Sequence, residues 1–145
     1  MIELKPVTKD NLEYILALDV REDQRSFVSS TACALAQAYV YGKTAFPFAV
    51  YADDTPVGFI MMGYYEQRSQ YTLWKLLIDK NHQGKGYGRE ALILGIQYLK
   101  SNFNAKEIYT GVAFGNSAAK SLYLSVGFKE TGLTENNAEE LRYSV

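Results

Sequence analysis

Residues 2–7 alternate apolar and polar side chains, the period of a half-buried strand. Thr8 follows as a cap for a helix whose apolar positions are Leu12, Ile15 and Leu16. Beyond a polar stretch at 21–26, Ser29 or Ser30 caps a second helix, with Ala32, Leu35, Ala36 and Tyr39 on one face and an end near Gly42. Residues 46–52, 57–64 and 71–78 are rich in aromatic and branched residues. Turn chemistry at Asp53-Asp54-Thr55-Pro56 and a polar link at 66–70 separate them, which predicts a three-stranded antiparallel meander. A glycine-rich loop comes next. Behind it a helix carries Ala91, Leu92, Gly95, Ile96 and Leu99 on one face. A strand over 107–113, a short helix over 116–126 closed by Gly127, and final strands over 128–133 and 140–143 complete the order β-α-α-β-β-β-α-β-α-β-β. That order predicts a mixed α/β fold, a sheet with helices packed on its faces.

The chain has 145 residues, the length of about one domain, and neither a linker nor an internal repeat suggests a boundary within 1–145. Fifteen basic and sixteen acidic residues leave a formal charge of -1, which gives no footprint for nucleic acid or an anionic membrane. The longest nearly apolar run, 57–65, falls short of the ~20 residues of a membrane span, and Met1-Ile-Glu-Leu-Lys-Pro6 is no signal peptide, so a cytoplasmic protein is expected. Cys33 and His82 are the only residues of their types. They are too few for an internal disulfide or a Cys/His zinc site, and no G-x-S-x-G elbow supports a serine triad. No metal is expected. Any catalysis must proceed without a conventional nucleophile or metal.

Gln83-Gly84-Lys85-Gly86-Tyr87-Gly88-Arg89 lies between a strand and a helix. Glycines there allow backbone conformations that a Cβ forbids, and the free N–H groups of a helix's first turn converge on one point. The helix dipole adds positive potential, and Lys85 and Arg89 add charge, so the segment reads as an anion site suited to a pyrophosphate. Gly42-Lys43-Thr44 is no P-loop, because Gln37 stands where the first glycine is required. Gly86-x-Gly88-x-x-Ala91 matches a dinucleotide fingerprint, but Glu107 opens the next strand instead of closing it, and too little chain remains for a doubly wound domain. A coenzyme A loop and a plain solvent loop remain. In the helix over 116–126, Asn116, Lys120 and Tyr123 fall on one polar face suited to a ligand, opposite Ala119, Leu122 and Val126. The plain alternative makes Tyr123 a rim residue.

The two segments together resemble the GNAT superfamily of acyl-CoA-dependent N-acetyltransferases. Gln83-x-x-Gly86-x-Gly88 is similar to that family's pyrophosphate motif, and Asn116-x-x-Ala119-x-x-x-Tyr123-x-x-x-Gly127-Phe128 to its downstream motif. The resemblance implies a mostly antiparallel twisted sheet of six or seven strands, split in a V between the strand ending at Ile78 and the strand at 107–113. It implies acetyl-CoA as the cofactor. The pantetheine would lie along the backbone of Leu76, Leu77 and Ile78, the pyrophosphate on Gln83 to Arg89, and the coenzyme arm against Asn116 and Lys120. Tyr123 would be the general acid to the departing thiolate. A thioester arrives activated, so alignment and oxyanion stabilisation suffice, and the scarcity of cysteine and histidine is accounted for.

The acceptor amine must be neutral to attack, which calls for a proton acceptor; Glu66, Glu22 and Asp23 are candidates, each also readable as a solvated surface acid. Arg21-Glu22-Asp23-Gln24-x-x-Phe27-Val28 and Pro56-Val57-Gly58-Phe59 are similar to the polyamine-acetylating branch, spermine/spermidine acetyltransferases. Tyr64, Tyr65 and Trp74 add stacking or cation–π surface. Acetylation of another small amine, an aminoglycoside or a protein N-terminus is an alternative within the family; a non-catalytic acyl-CoA sensor is one outside it. The exposed edge of the final strands offers a homodimer contact.

Overall fold

A computed structural model describes all of residues 1–145. The elements are β1 (Ile2–Lys5), α1 (Leu12–Leu16), α2 (Thr31–Tyr41), β2 (Ala45–Ala52), β3 (Thr55–Tyr65), β4 (Gln70–Ile78), α3 (Tyr87–Phe103), β5 (Glu107–Ala113), α4 (Ser117–Val126), β6 (Lys129–Glu135) and β7 (Ala138–Ser144). Single 3-10 turns occupy Glu22–Gln24, Gly42–Thr44, Glu66–Arg68 and Lys80–His82. The element order is the expected one.

All seven strands join one sheet in the order β1-β2-β3-β4-β5-β7-β6. Every neighbouring pair is antiparallel except β4 and β5, which are parallel and joined through α3. Alternation along the strands sends side chains to two cores. Ile60, Met62 and Leu73 meet Ala91, Leu92, Ile96 and Leu99 of α3 on one face. Ala45, Ala49, Phe59, Met61 and Leu77 meet Ile15 of α1 and Ala34 of α2 on the other. The face expected on α3 is the face it buries, with Ala91, Leu92, Gly95, Ile96 and Leu99 all buried. No helix is long and apolar enough to cross a membrane.

The first two helices differ from expectation. Asn11, not Thr8, stands at the cap position of α1, and Leu16 is 41% exposed. On α2 the buried residues are Thr31 and Ala34, and Tyr39 is 87% exposed. Thr31 sets that rotation: its hydroxyl donates to the Ile15 carbonyl at 2.8 Å in a buried contact. Ser30 is the cap of α2, its hydroxyl accepting from the Cys33 amide at 3.1 Å. At the outer edge of the sheet, β6 pairs with β7 only at its two ends, with an irregularity between Glu130 and Thr134.

Candidate active site

β4 and β5 run together for two residue pairs, Tyr71 with Ile108 and Thr72 with Tyr109. Thr110 makes one further bridge, its hydroxyl donating to the Leu73 carbonyl at 3.1 Å. There the strands part. Met62 of β3 pairs with Leu73 and Met61 with Lys75, so Trp74 is an extra residue in β4. Such a bulge bends its strand and increases the local twist, which carries Trp74 to Ile78 away from β5. The Trp74 ring lies against Gly63, where a Cβ would come within 2.5 to 2.8 Å of ring atoms. A cleft of about 100 Å³ fills the fork. Its walls are residues 74–77 of β4, residues 110–113 of β5, Asn116, Ala119 and Tyr123 from the α4 side, and Phe27, Val28 and Ser29 from the α1–α2 link. It is therefore lined from both faces of the sheet.

At the mouth, Gly84 and Gly86 hold φ of +79° and +81°, the left-handed region that favours glycine. No backbone N–H from Gln83 to Arg89 has an acceptor within the protein, and α3 starts there at Tyr87. Donors of this kind at the end of a 17-residue helix suit a diphosphate. Lys85 and Arg89 are exposed and form no ion pair. The Gln83 side chain is engaged elsewhere. Its amide donates to the Ile78 carbonyl and to Gln24 Oε1, each at 2.9 Å, and its Oε1 accepts from Gln24 at 3.3 Å. This side chain fastens the loop to the end of β4 and to the α1–α2 link, while the Gln83 backbone N–H has no acceptor.

Tyr123 is not on a polar face; it is the buried residue of α4, 8% exposed. The fork makes the helix face toward β4 and β5 an interior one. Phe128 packs edge-on against the Tyr123 ring, 5.5 Å between centroids. Burial pushes the phenol pKa up to about 12, the Thr110 hydroxyl opposing the shift. The group stays protonated at neutral pH. Asn116 caps α4, its Oδ1 accepting from the Ala119 amide at 3.4 Å, and lines the cleft.

Residues 10–128 match the acetyltransferase (GNAT) family. The chain belongs to that family. A probable spermine N(1)-acetyltransferase of Bacillus subtilis subsp. natto is 35% identical over 97% of this chain and 95% of its own length. A spermine/spermidine N(1)-acetyltransferase of Bacillus subtilis strain 168 is 34% identical over the same shares. The fold is that of the spermidine N-acetyltransferase of Vibrio cholerae solved with CoA and spermine: TM-score 0.74 at 21% identity, covering 97% of this chain and 92% of that one. This GNAT acetyltransferase is thus an acetyl-CoA-dependent enzyme.

The structure does not gather every expected residue of this GNAT chain at the fork. Leu76 and Leu77 line the cleft, and Ile78 ends β4 at its mouth. The Lys120 ammonium lies between Glu130 at 2.6 Å and Glu139 at 2.9 Å, and these partners hold its pKa above the usual lysine value. It faces β6 and β7, not the loop of Gln83 to Arg89. Glu22 and Asp23 lie on the 3-10 turn before the cleft-lining residues, exposed and already paired, Glu22 with Arg25 at 3.4 Å and Asp23 with Arg21 at 3.5 Å. Glu66 is in the turn before β4, at the end of that strand remote from Ile78. No carboxylate lines the cleft. Sequence reasoning missed Thr110, which no motif marks, and Ser29, whose place beside a helix start suggested a cap.

Proposed function

We propose that the protein transfers the acetyl group of acetyl-CoA to a primary amine of a polyamine, spermidine or spermine, in the cytoplasm. The observation that carries the reading is a cleft lined by Tyr123 on one face of the sheet and by the α1–α2 link on the other. In that arrangement donor and acceptor meet in one ternary complex, and the amine attacks the thioester directly. The polyamine follows from two relatives of that name, matched over nearly their full length.

The free amides of Gln83 to Arg89 hold the diphosphate, and the backbone of Leu76, Leu77 and Ile78, bent away from β5, lies along the pantetheine. The coenzyme supplies an activated acyl group. Holding the reactants in line can contribute up to ~7–11 kcal/mol of the barrier. As the C–S bond breaks, the Tyr123 hydroxyl donates its proton to sulfur. A raised pKa disfavours a free tyrosinate, so that donation runs together with the return of a proton from the amine nitrogen, through water. Glu22 and Asp23 at the acceptor side favour a polycation once it displaces their arginine partners.

Mixing the protein with acetyl-CoA and spermidine or spermine and following free thiol is the direct test. Saturable release dependent on the polyamine is expected. Faster turnover on other small amines, an aminoglycoside or a peptide N-terminus would overturn the substrate class, and CoA binding without turnover on any of them would overturn the enzyme.

A further inference from the structure

Ser29 Oγ is the one buried side-chain nitrogen or oxygen in the molecule with no hydrogen-bond partner. It lines the cleft. A buried hydroxyl without a partner is costly, and its persistence at a functional cleft calls for an explanation. Its neighbour Ser30 already caps α2, so helix capping does not claim it. The other short polar groups lining the fork have partners: Thr110 bonds the Leu73 carbonyl, and Asn116 caps Ala119. Ser29 enters from the α1–α2 link, on the sheet face opposite α4 and Tyr123. Its position is fixed by that link, which the reciprocal Gln24–Gln83 amide pair ties to the coenzyme loop.

We infer that Ser29 is the residue that orients the acceptor amine: its hydroxyl oxygen accepts one N–H of the neutral attacking nitrogen and so turns the nitrogen lone pair toward the thioester carbonyl. An attacking amine needs its lone pair free and its N–H groups directed elsewhere, and the cleft has no carboxylate to receive them. A hydroxyl does this without fixing a charge on the amine, whereas a nearby carboxylate would favour the unreactive ammonium form. The inference rests on the amine acetylation proposed above.

Steady-state kinetics at saturating acetyl-CoA, with spermidine, spermine and a panel of primary amines varied in turn, test it on Ser29→Ala and Ser29→Thr. The expected result for Ser29→Ala is about a tenfold loss in kcat/KM for the best amine, the value of one hydrogen bond. Calorimetric affinity for CoA stays unchanged, and Tm does not fall, because no partner is left unpaired. Ser29→Thr, which keeps the hydroxyl, recovers most of the loss. Unchanged kcat/KM in Ser29→Ala overturns the inference while the acetyltransferase reading stands. So does a marked fall in Tm or in CoA affinity, either of which assigns Ser29 a structural role. A wild-type protein that binds CoA yet acetylates no amine overturns both readings together.

Discussion

The Tyr123 ring closes the α4 side of the fork, buried edge-on against Phe128 and lining the cleft. Tyr123 stands out through its spacing from Asn116 and Gly127, yet helical periodicity alone assigned it to a polar face. A helix wheel cannot show that the surface it faces is a gap between two strands. Tyr123→Phe is expected to lower kcat by ~10²–10⁴-fold, the usual contribution of a general acid, with CoA affinity retained in a direct titration. Its pH signature follows from burial. The folded pKa of about 12 lies above the unfolded value of about 10. The buried phenol therefore supports the fold fully below pH 10, and this support, about 3 kcal/mol, is lost as pH rises through 12. Denaturant titrations between pH 10 and 12 should show a shallower loss of stability in Tyr123→Phe than in the wild type. Lys120 is the opposite case. Its helical position suggested the coenzyme, but Glu130 and Glu139 hold it. Lys120→Ala is expected to leave the KM for acetyl-CoA unchanged.

At the level of elements, the loop and α3 were legible because residue type sets their conformation, through glycines at positive φ and the apolar face of one long helix. A ligand held by N–H groups requires glycines and a helix start, and both are written in residue types. The α2 face was not legible, since small apolar residues surround that helix and a single buried hydrogen bond from Thr31 chooses the side. Nor was the bulge, because an unpaired Trp74 is a property of β3 and β4 together. Two comparisons test these elements. Gly86→Ala forces a Cβ into the left-handed region at roughly 1–2 kcal/mol and should lower both Tm and CoA affinity. Gly88→Ala meets Ile78 and Leu122 at ordinary contact distances of 3.6 and 3.7 Å and should preserve both. Gly63→Ala cannot coexist with the Trp74 ring as it lies. It should displace that ring and raise the KM for the amine more than the KM for acetyl-CoA, as separate titrations of each substrate would show.

Across the whole molecule, the element order read from hydrophobic pattern is the order found, because long amphipathic segments and turn residues leave few alternatives. The split of the sheet came from the family resemblance and not from pattern. Across that split the backbone shares two residue pairs and the Thr110–Leu73 hydrogen bond, while the core on the α3 face runs under both sides, from Ile60 and Leu73 to Ile108 and Leu141. On the β4 side, β2, β3 and β4 form a meander of neighbouring segments; on the other, β5, α4, β6 and β7 pair among themselves. The meander closes short loops, whereas joining β4 to β5 requires the crossover through α3. The crossover spans 37 residues from Tyr71 to Ile108, the same separation as Glu107 to Ser144 across β5 and β7 and less than the 50 from Ile2 to Ala52 across β1 and β2. Thr110→Val, which orphans the Leu73 carbonyl at the seam, should lower the stability read in a denaturant titration by about 1–3 kcal/mol. A sheet interrupted at its middle is thus bound across the gap by side chains, through the one core that both halves share.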